Sequence, residues 1–134
     1  MDNLINPFLL DEQEKKAMIL KLLDEDLKDE YGYPTDAALD IVSLWPQDDV
    51  PGWFAFIKDL WHIPTWGWNE GIPDEDYAIP LMSVDLYVYE ISTAGWSGNE
   101  SLIHAMQNNV LWHQTWVQSR RGGHYIFERE IDED

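Results

Sequence analysis

The chain has 134 residues, which is enough for one domain with a hydrophobic core and too few for two, so residues 1–134 are treated as a single domain. Its formal net charge of −18, from 26 acidic and 8 basic side chains, disfavours binding to nucleic-acid phosphates and to anionic membranes. Eight tryptophans argue against disorder, and the lack of cysteine excludes disulfides and thiolate chemistry. Because the sequence has no membrane-span-like apolar run and its first residues lack a basic segment typical of secretion, we predict a cytoplasmic protein.

The N-terminal half is predicted to form two to three helices. Asp11 and Glu14 have the spacing of a capping box, which predicts a helix from there to about residue 30. Thr35 is the expected cap of a second helix that ends before Pro46. A third helix over residues 52–61 is so apolar that we expect it to be in contact with other elements on two sides.

Two acidic runs are candidate partner-binding surfaces. The first opposes the dipole of the first predicted helix, and a solvated helix face is its simpler interpretation. The second has the oxygen ligands of a hard-cation site, but its spacing matches no calcium loop, so we predict no metal and no cofactor. The candidate residues are Asp24, Glu25, Asp26, Asp29, Glu30, Asp74, Glu75 and Asp76.

Residues 62–82 have no periodicity and contain three prolines, which predicts a long irregular loop. Trp66 and Trp68 flank Gly67 in this segment. They are either an aromatic clamp for a ligand or a cover over the core, and the second interpretation is preferred.

The C-terminal half predicts strand, helix, strand and strand. Residues 83–93 alternate as a first strand, and Ser97 with Glu100 resembles a capping box that starts a helix. Residues 110–119 are predicted to be a second strand, joined by a glycine turn to a third. We therefore predict an α+β fold with a small, mainly antiparallel three-stranded sheet in which the first strand lies beside the last.

The turn sets the register of the predicted hairpin. It pairs Trp116 with Phe127 and Val117 with Ile126, which gives the hairpin an aromatic face and a more polar one.

The sequence contains no recognised catalytic motif. His113 and His124 share a predicted strand face with Glu128 and Glu130, which permits acid–base or metal chemistry, although a half-exposed polar face explains them equally well.

A candidate anion site combines a helix N-terminus with the hairpin tip. Free N–H groups at a helix start and arginine side chains together suit a phosphate or a carboxylate. The candidate ligand-binding residues are Ser97, Gly98, Asn99, Arg120, Arg121 and His124.

A sequence pattern spans this region: GWSGNE at residues 95–100, Trp116, SRRGGHY at residues 119–125, and FE at residues 127–128. With this pattern the chain resembles a group of small bacterial proteins of unknown function. The resemblance implies a shared core element and no activity, and the acidic N-terminal half lies outside it.

The excess of negative charge and the missing motifs predict an acidic, non-enzymatic protein-binding module of the immunity or inhibitor kind. In a bacterial or phage setting it would occupy a basic surface on a partner protein. The alternative is a small enzyme or ligand-binding domain that uses the anion site. Solubility alone also explains the charge, and the tryptophan content leaves room for a homo-oligomer or a subunit of a larger assembly.

Overall fold

The computed structural model describes residues 11–73 and 86–131, and it has the predicted α+β fold. The acidic run Asp74, Glu75 and Asp76 lies outside the described residues. In chain order the elements are α1 (Glu12–Leu22), α2 (Asp36–Leu44), α3 (Val50–Leu60), α4 (Pro64–Gly67), β1 (Trp68–Gly71), β2 (Leu86–Ser92), α5 (Ser97–Gln107), α6 (Val110–Thr115), β3 (Trp116–Arg120) and β4 (His124–Glu130).

The strands form an antiparallel sheet in the order β1-β2-β4-β3. The sequence predicts that its first strand lies beside its last. This is confirmed, because those two strands are β2 and β4, and they pair. The three-stranded sheet is wrong, since β1 lies inside the segment that was expected to be an irregular loop. Of its four residues only Trp68 is buried, so β1 has no alternation of buried and exposed positions that the sequence could indicate.

Side-chain caps start the first three helices, and the two caps that the sequence predicts, Asp11 and Thr35, are confirmed. Asp11 accepts a hydrogen bond from the backbone N–H of Glu14 at 2.8 Å, and the reciprocal bond completes the capping box. The Thr35 hydroxyl accepts from the N–H of Ala38 at 3.3 Å, and Asp49 caps α3. Each cap satisfies an N–H group that has no partner within its helix.

The first helix ends at Leu22, well before the predicted end near residue 30. The carboxylates that follow would lie at the negative end of the helix dipole, where they are unfavourable. Asp29 instead builds a turn by accepting hydrogen bonds from the N–H groups of Tyr31 at 2.9 Å and Tyr33 at 3.0 Å.

Helix α3 connects the helical layer to the sheet. The ring of Phe54 stacks on that of Tyr89 in β2 with centroids 3.8 Å apart. Trp53 donates a hydrogen bond from its indole N–H to the Val42 carbonyl of α2 at 2.9 Å. The expected contact on two sides is therefore confirmed, and the core lies between α3 and the sheet.

Residues 110–115 form helix α6, so the predicted strand over residues 110–119 is wrong in its first half. Asn109 explains the difference. Its side-chain oxygen accepts from the N–H of Leu111 at 2.9 Å, and its amide donates to the carbonyls of Val42 at 3.1 Å and Trp45 at 3.0 Å. This buried anchor fixes a helix start and overrides the strand preference of the residues that follow.

Helix α5 begins at Ser97, but the capping box is wrong because the N-cap is Trp96 and no side chain caps the helix. The indole of Trp96 lies against Gly98, where an added Cβ would approach a ring atom to 2.3 Å. The same indole stacks between the rings of Tyr33 and His62. This packing holds the Trp96 backbone at the helix start and leaves the Ser97 side chain without a capping role.

The hairpin of β3 and β4 pairs Trp116 with Phe127, as predicted. An irregularity after Trp116 then shifts the register, so Gln118 and not Val117 lies opposite Ile126. A bulge of this kind leaves no signal in the alternation of the sequence.

Candidate functional site

The hairpin tip and the start of α5 are neighbours in the fold. The N–H of Thr93, just after β2, donates to the carbonyl of Gly123 in the turn at 3.0 Å. Thr93 also leads directly into the loop before α5. The two halves of the predicted anion site are thus joined through Thr93.

The helix half of that predicted site is directed inward. Asn99 is only 1% exposed. Its side-chain oxygen accepts from the N–H of His62 at 2.8 Å, and its amide donates to the Thr93 carbonyl at 3.4 Å. Gly98 is buried and Ser97 is exposed. Asn99 therefore fastens the loops at His62 and Thr93 to the start of α5, which is a structural use of its amide.

The hairpin half contributes to a groove on one face of the sheet. Tyr89 and Phe127 face α3 on the opposite side, so their neighbours in β2 and β4 point to this face. The groove has a volume of about 530 Å³. Its lining residues are Trp66, Gly67, Asn69, Glu90, Ile91, Ser92, Arg120, His124, Tyr125 and Ile126.

The strand register orders the polar side chains of the groove into two rows. In one row Glu90 lies opposite Ile126. In the other row Ser92 lies opposite His124, which is in turn opposite Arg120. The acidic Glu90 on β2 and the basic Arg120 on β3 therefore lie on either side of β4 in adjacent rows, with Ile126 opposite Glu90 and His124 opposite Arg120. Arg121 lies in the turn, outside the groove lining.

The two loop tryptophans have different roles. Trp68 is 5% exposed and packs against the core, which fits the interpretation of a cover. Trp66 is 68% exposed and lines the groove. Gly67 allows this arrangement because a Cβ there would lie 2.7 Å from the Ser92 carbonyl oxygen. The close approach of α4 to β2 thus brings Trp66 to the groove.

The ionisable side chains of the groove have no partners of their own within the described parts of the chain. Arg120, His124 and Glu90 form neither ion pairs nor side-chain hydrogen bonds there. They are available to a bound molecule.

A second polar cluster lies on the helix-facing side of the sheet. Glu70 accepts hydrogen bonds from the Tyr87 hydroxyl at 2.8 Å and the Trp68 indole at 2.9 Å, and Lys58 lies 3.3 Å away. Burial alone would raise the pKa of Glu70, but these three contacts together outweigh it and lower that pKa. The hydrogen bond to Glu70, with a smaller contribution from burial, raises the pKa of Tyr87 to about 12.

Arg129 completes this second cluster. Its Nε donates to the Tyr89 hydroxyl at 3.0 Å, and its guanidinium carbon lies 4.5 Å from the centre of the Tyr87 ring. Burial raises the pKa of Tyr89, a tendency that Arg129 opposes. Because each charged group here is already paired, the cluster is an internal brace of the sheet.

An acidic surface covers the turns after α1 and the adjacent side of α2. Desolvation by burial raises the pKa of Asp40, and the nearby Asp36 and Glu25 raise it further. The exposed apolar side chains of Leu20 and Tyr31, 69% and 76% accessible, come from the same stretch of chain. We use "acidic surface" for Asp24, Glu25, Asp26, Asp29, Glu30, Asp36 and Asp40.

Two further observations concern metals and membranes. His113 is on α6 and not on a strand, so the predicted face shared with His124, Glu128 and Glu130 is wrong. Across residues 11–73 and 86–131, no three or more potential metal ligands are grouped to hold an ion. The helices in those same ranges include none with the length and apolarity needed to span a membrane.

In comparisons with protein-family models, curated proteins and solved structures, nothing matches this chain. The resemblance to small bacterial proteins and the six-residue anion site stay predictions.

Proposed function

We propose that this chain is an acidic, non-enzymatic protein-binding module of the immunity or inhibitor kind. Its acidic surface would occupy a basic surface on a partner protein in the cytoplasm, in a bacterial or phage setting. The observation that carries the proposal is that Asp24, Glu25, Asp26 and Glu30 are exposed and form no ion pair in the part of the chain that the structure describes.

The neighbouring side chains support a protein partner over a simple solvating role. Exposed Leu20, Leu23 and Tyr31 lie in the same segment as the carboxylates. Interfaces between proteins combine aromatic and apolar contacts with charged rims. The net charge of −18 adds a long-range attraction for a basic partner, which raises the rate of encounter.

The environment of Asp40 is also consistent with a cationic partner. Its pKa is raised by burial and by the carboxylates around it, so its charge is unfavourable in the free protein. A lysine or arginine brought alongside would relieve this repulsion. Binding would thus recover electrostatic free energy that the fold leaves unsatisfied.

The experiment is affinity capture from an extract of the source cells, with the retained proteins identified by mass spectrometry. The double variant Asp24→Asn with Glu30→Gln should lose the partner. Neither side chain is hydrogen-bonded in the described structure, so the fold should be unchanged.

The matched control is Asp59→Asn with Glu130→Gln, which removes the same charge from exposed positions on α3 and β4. It should retain the partner. Equal loss of the partner in both variants would mean that binding depends only on net charge. Retention of the partner by both variants would mean that the acidic surface does not bind it.

A second candidate function is ligand binding in the sheet groove. It is favoured by Arg120 and His124, two predicted anion-site residues that line the groove without partners among the described residues. In a thermal-shift screen of carboxylates and phosphates, Arg120→Ala should abolish stabilisation by a ligand. Arg121→Ala is the control, because Arg121 lies outside the lining. Equal responses of the two variants would count against the groove.

A further inference from the structure

We propose that the groove binds the carboxyl-terminal end of a polypeptide that has a lysine or arginine among its last two residues. This inference rests on the second candidate function, and it names the ligand class that the two charged ends of the groove would select.

The basic end of the groove suits a carboxylate. Arg120 and His124 lie directly opposite each other on β3 and β4, and Ser92 lies opposite His124 on β2. An arginine guanidinium matches the two oxygens of a carboxylate, and the serine hydroxyl adds a further donor. Arg120 and His124 are both exposed and lack a partner among the described residues.

The opposite end suits a cationic side chain. Glu90 is an exposed carboxylate on β2 without an ion pair in the described chain. Trp66 offers an indole that is 68% exposed and lines the same groove. Tryptophan is the best aromatic partner for an ammonium or guanidinium group. The neighbouring Gly67 lies against Ser92 of β2, so the Trp66 backbone is on the β2 side of the groove, as Glu90 is, and Arg120 is across β4 from both.

The spacing of the two ends matches a short peptide end. Glu90 and Arg120 are separated by strand β4 and are one row apart. Two strand spacings and two residues along a strand put their Cα atoms roughly 12 Å apart. Two extended residues span about 7 Å, and the charged side chains bridge the remainder. Ile126, between the two ends, provides an apolar floor.

The charge balance favours such a bipolar ligand over a simple anion. A phosphate bound at Arg120 would meet the field of a protein of net charge −18 and the carboxylate of Glu90 in the same groove. A ligand with a cationic group next to its carboxylate replaces that repulsion with an ion pair.

The test is titration of the full chain with fluorescently labelled synthetic peptides, followed by anisotropy. One peptide ends in alanine-lysine with a free carboxylate, a second has an amidated end, and a third has norleucine in place of lysine. The free-acid lysine peptide should bind about tenfold more tightly than either of the others, which corresponds to one lost charge-assisted contact.

Protein variants separate the two ends. Arg120→Ala should erase the preference for the free acid and keep the preference for lysine. Trp66→Ala with Glu90→Gln should erase the preference for lysine and keep the preference for the free acid. Arg121→Ala should keep both preferences. Unchanged melting temperatures of the unliganded variants would exclude misfolding as the cause.

Equal binding of the acid and the amide to the unmodified protein would overturn this inference, as would no binding of any peptide. If the groove still responds to small carboxylates or phosphates through Arg120, the second candidate function survives without it. If that response is also missing, both this inference and the second candidate function are wrong.

Discussion

Gly123 is the residue through which the hairpin tip is attached to the loop before α5. Its φ of +81° lies in the left-handed region, and an added Cβ would lie 2.2 Å from the Thr93 hydroxyl oxygen. Gly122 has a φ of +91° but much more space, with the nearest atom of His124 at 3.6 Å. A substitution at Gly122 therefore introduces backbone strain alone, whereas one at Gly123 introduces strain and a close contact with Thr93.

We expect Gly123→Ala to destabilise the protein by more than Gly122→Ala. Both variants incur left-handed strain of about 1–2 kcal/mol, and only Gly123→Ala must also displace Thr93. Urea unfolding monitored by tryptophan fluorescence measures both free energies of unfolding. Equal losses would show that the approach to Thr93 contributes nothing.

At this scale the sequence predicts local chemistry and misses partners that are distant in sequence. The glycine turn was predicted from the preference of glycine for positive φ, and the structure has that turn. The contact of Gly123 with Thr93 depends on the pairing of β2 with β4 and has no local signal. The inward direction of Asn99 was missed for the same reason, because its partners His62 and Thr93 are on other loops.

At the scale of elements, Asn109 links α6 to the end of α2. It is buried, and it makes three hydrogen bonds with backbone groups of Leu111, Val42 and Trp45. Asn109→Ala removes all three bonds and leaves the Leu111 N–H and the Trp45 carbonyl without this partner, while the Val42 carbonyl keeps the bond from the Trp53 indole. We expect a loss of about 2–4 kcal/mol in unfolding free energy.

Asn108→Ala is the matched control for that change. Asn108 is exposed at the C-terminal end of α5, and its substitution should stay within about 0.5 kcal/mol of the unmodified protein. Thermal unfolding measures both variants. Comparable stabilities for the two would mean that α6 does not depend on the Asn109 anchor.

The predictability of each helix follows from where its start is determined. The caps Asp11 and Thr35 lie next to the helices that they start, so the starts of α1 and α2 were predicted. The start of α6 depends on carbonyl groups of α2 more than sixty residues away, so the local preference for a strand misled the prediction. Strand β1 is only four residues long, and pairing with β2 defines it more than its composition does.

At the scale of the whole molecule, pH should change the stability of the fold through the hydrogen bond between Glu70 and Tyr87. A phenol with its pKa raised to about 12 in the folded state adds stability that is complete below pH 10 and is lost as the pH rises through 12. A carboxyl with a lowered pKa adds stability above its ordinary value of 4.5, which is lost as the pH falls through the folded value.

We therefore expect Tyr87→Phe to be less stable than the unmodified protein at pH 9 and to show a smaller further loss by about pH 11.5. Chemical unfolding at the two pH values measures this difference. Tyr31→Phe, at an exposed position without a side-chain hydrogen bond in the described structure, is the control. Parallel losses in Tyr87→Phe and in the unmodified protein would argue against the brace.

Asp40, on the acidic surface, has a pH dependence of stability opposite in sign to that of Glu70. Because burial and nearby carboxylates raise its pKa, its ionisation destabilises the folded state as the pH rises above 3.8. Asp40→Asn should raise the melting temperature at pH 7, and the gain should shrink at about pH 3.5 because the native carboxyl is then protonated as well. A melting temperature that stays the same or falls at pH 7 would contradict this account of Asp40.

For the whole molecule, the capping and alternation patterns predicted the fold class and the composition predicted an acidic surface, but neither predicted the arrangement of the charges. The excess of acidic residues is evident in the sequence, whereas the proximity of Asp40 to Asp36 and Glu25 depends on how α2 packs beside the turns after α1. The sequence did not predict the groove. It placed Arg120 and His124 together at the hairpin tip, where they lie opposite each other on β3 and β4. The positions of Glu90 and Trp66 in the lining follow from sheet order and from a strand that the sequence did not indicate.

The most direct test of the central proposal is the association rate constant of the captured partner, measured by stopped-flow fluorescence at ionic strengths from about 0.05 to 0.5 M. If the acidic surface recruits a basic partner, the association rate should fall at least about tenfold across this range while the dissociation rate changes much less. An association rate that is indifferent to salt would contradict the proposal, and would leave the acidic surface with the role of keeping the protein in solution.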